Sequence, residues 1–270
     1  MDVDTVASAT GAATDAPAHR VVFLLGLFGR GKNFTTIASG LLPEAQCLLV
    51  DPPDHGESAS TDTFSYIGMA DAVAVQLQSD FAADGPVDVV GHSMGGKVAM
   101  VLALRHPELV RRLVVIDISP VGGEASTSEF PHLLSSLAGL DIGALTSRND
   151  AQEALRAQIP NNTVRGFLLQ NLRRMADGFT WEPNLELLNA QLPAIMGFPD
   201  LGDLQFSAPV LWIRGDQSDY VNEAAVPIMR GYFPKTVRLT VRGAGHWVHS
   251  QKPQEVIAAL RGFLLRGARE

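Results

Sequence analysis

The chain has 270 residues, of which 46% are hydrophobic and 19% charged, an ordinary globular composition with ample material for a core. Against 29 Asp and Glu stand 21 Lys and Arg, a formal charge of −8. With no basic block, nucleic acid is excluded as an expected partner and docking to anionic membrane is disfavoured. Cys47 is the one cysteine, so neither an internal disulfide nor a thiolate cluster can form, and no apolar run reaches the ~20 residues of a membrane helix.

Met1–His19 is rich in Ala, Thr and Asp and contains no Lys or Arg. It lacks the cationic start and apolar stretch of a secretory signal, so a disordered leader (residues 1–19) and a cytoplasmic location are expected. Six short apolar runs follow, each ending in Gly- or Asp-rich turn chemistry: Arg20–Leu25, Cys47–Val50, Val87–Val90, Leu113–Ile118, Val210–Arg214 and Thr236–Val241. Several are apolar throughout rather than alternating, the pattern of strands buried on both faces. Between them lie helical patterns. Tyr66–Phe81 places Met69, Val73, Leu77 and Phe81 at three- and four-residue spacing. Lys97–Arg105 stops before His106-Pro107, and Pro253–Leu265 begins with proline in its first turn. This alternation predicts an α/β fold with a mostly parallel central sheet flanked by helices.

From about Val121 to Phe206 no strand-like run occurs. Helical patterns at Phe130–Leu140, Ala151–Gln158, Thr163–Met175 and Leu185–Leu192 take its place. A structureless loop of that size would be implausible in a compact domain, so 121–206 is expected to be an inserted helical cap. The core is then 20–120 together with 207–270.

Gly91-His92-Ser93-Met94-Gly95 fits Gly-x-Ser-x-Gly, and an apolar strand precedes it while a helix follows. That strand–turn–helix context is what the motif requires: a turn so sharp that small residues flank the serine and leave its hydroxyl exposed at the carboxyl edge of the sheet. A serine hydroxyl needs a base to accept its proton. His246, in Gly243-Ala244-Gly245-His246-Trp247, follows the last predicted strand, where the order Ser…acid…His puts the base. His249 competes but falls at the start of the last helix. Two carboxylates could orient the imidazole: Asp219, just past the penultimate strand where the fold usually supplies the acid, and Asp117, at the end of the strand before it. Asp219 is favoured; Asp216 is a weaker third. The oxyanion donors are expected to be the backbone N–H of Met94 and that of Leu27, in Gly26-Leu27-Phe28-Gly29.

With Asp54-His55-Gly56-Glu57-Ser58, Asp117-Ile118-Ser119-Pro120 and Val248-His249 added, these motifs resemble the α/β-hydrolase superfamily, most closely its YbfF-like small esterase branch, over roughly 20–120 and 205–265. There are departures. The family usually reads His-Gly at the first core turn, where this chain has Leu25-Gly26, and it usually has an arginine where Pro53 stands. In YbfF-like members the acid resembles Asp117, whereas many other α/β-hydrolases carry it at the place of Asp219, so the resemblance raises both.

The expected activity is carboxylic-ester hydrolysis of a small-molecule substrate through an acyl-enzyme, with no cofactor. Thioester, lactone or carbon–carbon hydrolysis on the same triad and a non-catalytic hydrolase-fold binding protein are the alternatives. Gly29-Arg30-Gly31-Lys32 lacks the full phosphate-loop pattern, and no His/Cys/Asp spacing predicts a zinc site.

Overall fold

The computed structural model describes residues 2–6, 19–53, 55, 58, 61–122 and 129–265. Its strands are β1 (Asp2–Val6), β2 (His19–Leu24), β3 (Ala45–Asp51), β4 (Val87–His92), β5 (Val110–Ile116), β6 (Leu172–Met175), β7 (Gly178–Trp181), β8 (Val210–Gly215) and β9 (Thr236–Val241). Seven of them form one sheet in the order β1-β3-β2-β4-β5-β8-β9. β1 runs antiparallel to β3, and every other pairing in that sheet is parallel.

The helices are α1 (Thr35–Ser39), α2 (Tyr66–Ser79), α3 (Met94–Arg105), α4 (Phe130–Ala138), α5 (Arg148–Ala154), α6 (Asn162–Leu168), α7 (Leu185–Ala190), α8 (Leu192–Met196), α9 (Val226–Tyr232), α10 (Val248–Gln251) and α11 (Pro253–Leu260). Ser65 starts α2 by accepting the Gly68 N–H on its hydroxyl, a side-chain cap for one of the donors a helix start leaves free.

Successive strand residues face opposite ways, and the burial follows this. Val22 and Leu24 of β2 join Val73, Leu77, Val98 and Leu102 of α2 and α3 in one apolar layer. Val21, Phe23 and Leu25 join Ile37, Val256 and Leu260 of α1 and α11 in the other. Both faces are covered, which is why these strands read as continuous apolar runs.

Two expectations change here. Asp2–Val6, placed in the disordered leader, is an edge strand paired through its backbone to β3, while residues 7–18 lie outside the described residues. The 121–206 insertion is not wholly helical: Leu172–Met175, expected at the end of a helix, pairs with Gly178–Trp181 as an antiparallel hairpin. The reversal is made by Ala176-Asp177, and Gly178, which opens the second strand, has φ +136°, a backbone state that glycine adopts without steric cost. Of the loop motif around His55, Asp54, Gly56 and Glu57 also lie outside the described residues.

Candidate active site

β4 ends at His92 and α3 begins at Met94, so Ser93 makes the whole connection. Its φ of +54° is a left-handed value that costs a non-glycine residue roughly 1–2 kcal/mol. The neighbouring glycines make the turn feasible. A Cβ on Gly91 would lie 2.4 Å from the Gly95 carbonyl oxygen, and one on Gly95 would lie 2.3 Å and 2.4 Å from the Leu24 and Leu25 carbonyl oxygens. A Cβ on Gly26 would meet Ser93 Cβ at 2.7 Å, so the loop after β2 runs directly against the nucleophile candidate.

The Ser93 hydroxyl lies 2.9 Å from His246 Nε2, and His246 Nδ1 lies 2.9 Å from Asp117 Oδ2. A carboxylate only accepts, so Nδ1 carries the proton and Nε2 is the acceptor for the serine O–H. Asp117 is fully buried. Its other contacts are the Gly215 N–H, at 2.9 Å from Oδ1, and a short hydrogen bond from the Ser218 hydroxyl to Oδ2. Three donors thus converge on the carboxylate: the Gly215 N–H, the Ser218 hydroxyl and the imidazole N–H.

The preference for Asp219 is therefore corrected. Asp117 leaves β5 at φ +53° with its N–H bonded to the Ile213 carbonyl, which turns its side chain toward His246. The loop after β8 contributes Ser218 to Asp117, whereas Asp219 is exposed at the cavity rim. Asp216 is exposed as well, accepting the Gly243 N–H at 2.8 Å. His249 is buried in α10, its ring 4.3 Å from that of His92 and 5.0 Å from that of Phe34. Burial, with the neighbouring His246, pushes its pKa down to about 3, so it stays neutral beside the triad candidates.

Several functional neighbours carried no sequence signal beyond their place in a motif. His92 donates from Nε2 to the His246 carbonyl at 2.9 Å, anchoring that loop. Burial lowers its pKa well below the ordinary value, and the nearby histidines add to this. Tyr220 packs on the His246 ring at 4.2 Å. Lys97, one turn into α3 and 3% exposed, donates from Nζ to the carbonyls of Ile195 (3.3 Å), Met196 (2.8 Å) and Gly197 (2.7 Å). The Tyr66 hydroxyl donates to the Ile195 carbonyl at 2.5 Å, so two core helices hold the end of α8.

A cavity of about 580 Å³ opens over Ser93 and His246. Leu27 and Met94 lie at its floor. Among the described residues neither of their N–H groups has a backbone acceptor outside the helices and strands. Phe130, Ile195 and Met196 of the insertion give an apolar wall, and Gln217, Asp219, Asn222 and Gln251 give a polar rim. No helix among the described residues is long and apolar enough to cross a membrane.

Residues 21–259 match the alpha/beta hydrolase family, and the chain belongs to that family. Its relatives include named esterases and lipases. It is 37% identical over 93% of its length to the sn-1-specific diacylglycerol lipase ABHD11 of Mus musculus, covering 82% of that protein. It is 30% identical over 90% of its length to esterase YbfF of Escherichia coli (strain K12), covering 92% of it. A solved marine microorganism esterase superposes with a TM-score of 0.90 at 29% identity, over 97% of this chain and 98% of the other.

Proposed function

We propose that the protein is a serine hydrolase that cleaves carboxylic esters through an acyl-enzyme. The observation that carries this reading is the unbroken chain of hydrogen bonds from Asp117 through His246 to Ser93 at the floor of an open cavity. Ser93 Oγ attacks the ester carbonyl carbon as its proton passes to His246 Nε2. The carbonyl oxygen becomes an oxyanion within reach of the Leu27 and Met94 N–H groups. Collapse of that intermediate expels the alkoxide, which takes the proton from His246. A water molecule then attacks the acyl-enzyme as its proton passes to His246, and collapse releases the acid while His246 returns that proton to Ser93 Oγ. Asp117 keeps Nδ1 protonated throughout and stabilises the imidazolium.

The 121–206 segment acts as a cap whose apolar residues receive the acyl group, while the polar rim faces the alcohol portion. The activity in the printed name of the ABHD11 relative, on a diacylglycerol, is consistent with an apolar acyl seat of this kind. The test is hydrolysis of p-nitrophenyl acetate and butyrate by the native protein and by Ser93→Ala, with stoichiometric fluorophosphonate labelling. The variant should lose roughly 10³-fold or more in kcat and all labelling at Ser93 while remaining folded. Near-native turnover in the variant would overturn the reading.

A further inference from the structure

Taking Ser93 as the nucleophile, we infer that Asn171, in the insertion, is a positioning residue for the oxyanion loop Gly26–Gly29. That loop is a tight turn closed by the Gly29 N–H on the Gly26 carbonyl at 2.8 Å. Its third residue, Phe28, sits at φ +63°, a strained value for a bulky side chain. A turn so strained persists only where its surroundings hold it. The Leu27 N–H at its centre must be held to a few tenths of an ångström for an oxyanion to be met at hydrogen-bond distance.

The hold comes from the far side of the sequence. Asn171 Nδ2 donates to the Phe28 carbonyl at 2.7 Å and to the Leu168 carbonyl at 3.2 Å. Both partners are carbonyls, which fixes the amide orientation with its NH2 toward the loop. Just beyond the turn, Arg30 forms an ion pair with Glu182 at 2.9 Å, and the Glu182 N–H bonds the Asn171 carbonyl at 2.9 Å. The hairpin β6–β7 thus brings both ties to one side of the loop.

The choice of residue argues for a role beyond packing. Asn171 is 1% exposed, and its Oδ1 has no partner among the described residues. The unpartnered Oδ1 carries a desolvation cost that an apolar side chain would not. What the amide supplies that leucine cannot is the donor to Phe28. The same segment that walls the cavity therefore also sets the geometry of the oxyanion donors.

The experiment compares Asn171→Leu with the native protein on p-nitrophenyl butyrate and on its thiono analogue, in which sulfur replaces the carbonyl oxygen. An N–H hole built for oxygen discriminates against the larger, weaker acceptor. The substitution should lower kcat for the oxygen ester about tenfold or more, with KM within about twofold, and narrow the oxygen-over-sulfur preference by a similar factor. The melting temperature should fall by a few degrees, because the Phe28 carbonyl loses its buried donor, while circular dichroism shows the variant folded. Unchanged kcat and preference in the folded variant, or an equal loss on both substrates, would overturn the inference. If leucine proves too bulky to fold, Asn171→Ala gives the same comparison. Ser93→Ala assayed alongside keeps the two readings apart: activity retained there would refute the nucleophile, whereas a dead Ser93→Ala with an unaltered Asn171→Leu would refute the brace alone.

Discussion

Replacing Asp117 by asparagine keeps its shape and reverses the two hydrogen bonds at Oδ2. The amide oxygen can still accept the Gly215 N–H, now 2.9 Å from Oδ1, and the Ser218 hydroxyl can rotate to accept from the amide NH2. The same NH2 then faces His246 Nδ1, which must give up its proton and become an acceptor. Nε2 carries the proton instead and points it at Ser93, so the base is blocked. This wrong tautomer costs about 10⁴-fold in kcat, roughly 5 kcal/mol of transition-state stabilisation. Asp219→Asn, at an exposed site with no bond to His246, should leave kcat within about twofold. The assay is kcat on p-nitrophenyl butyrate for both variants side by side, with circular dichroism to establish folding. A folded Asp117→Asn retaining a tenth or more of native kcat, or an Asp219→Asn as inactive as Asp117→Asn, would refute this account of how the imidazole is oriented.

Gly95→Ala should destabilise the protein by roughly 3 kcal/mol, because its Cβ would fall 2.3–2.4 Å from two backbone oxygens of the β2 end that cannot move independently. An unchanged urea midpoint would contradict that contact. Lys97 has a pKa lowered to about 8 by burial, against 10.5 in the unfolded chain. Between those values the unfolded chain binds the extra proton, so this group makes stability rise with pH across that window. The stability of the native protein relative to Lys97→Met should therefore increase by on the order of 2 kcal/mol from pH 8 to pH 10. A pH-independent difference in urea titrations would show that Lys97 titrates normally.

Much of the fold was legible because its signals are local. Continuous apolar strands, glycine turns and helical spacing all report on neighbours a few residues apart, and the six parallel strands of the core fell near their expected ranges. Ser93 and His246 were also locally marked, one by a turn that admits only small neighbours and the other by a glycine-rich loop after the last strand. Which aspartate meets His246 was not a local property. Asp117 and Asp219 both follow strands at the same sheet edge. The decision came from the register of β5 against β8, which sets the Gly215 N–H and the Ser218 hydroxyl on Asp117. The left-handed turn at Asp117 then aims its carboxylate inward. The insertion was least legible, since short amphipathic segments there are apolar at similar intervals whether they coil or pair. Its hairpin, and the reach of Asn171 across 143 residues to Phe28, exist only once tertiary packing brings the two segments together.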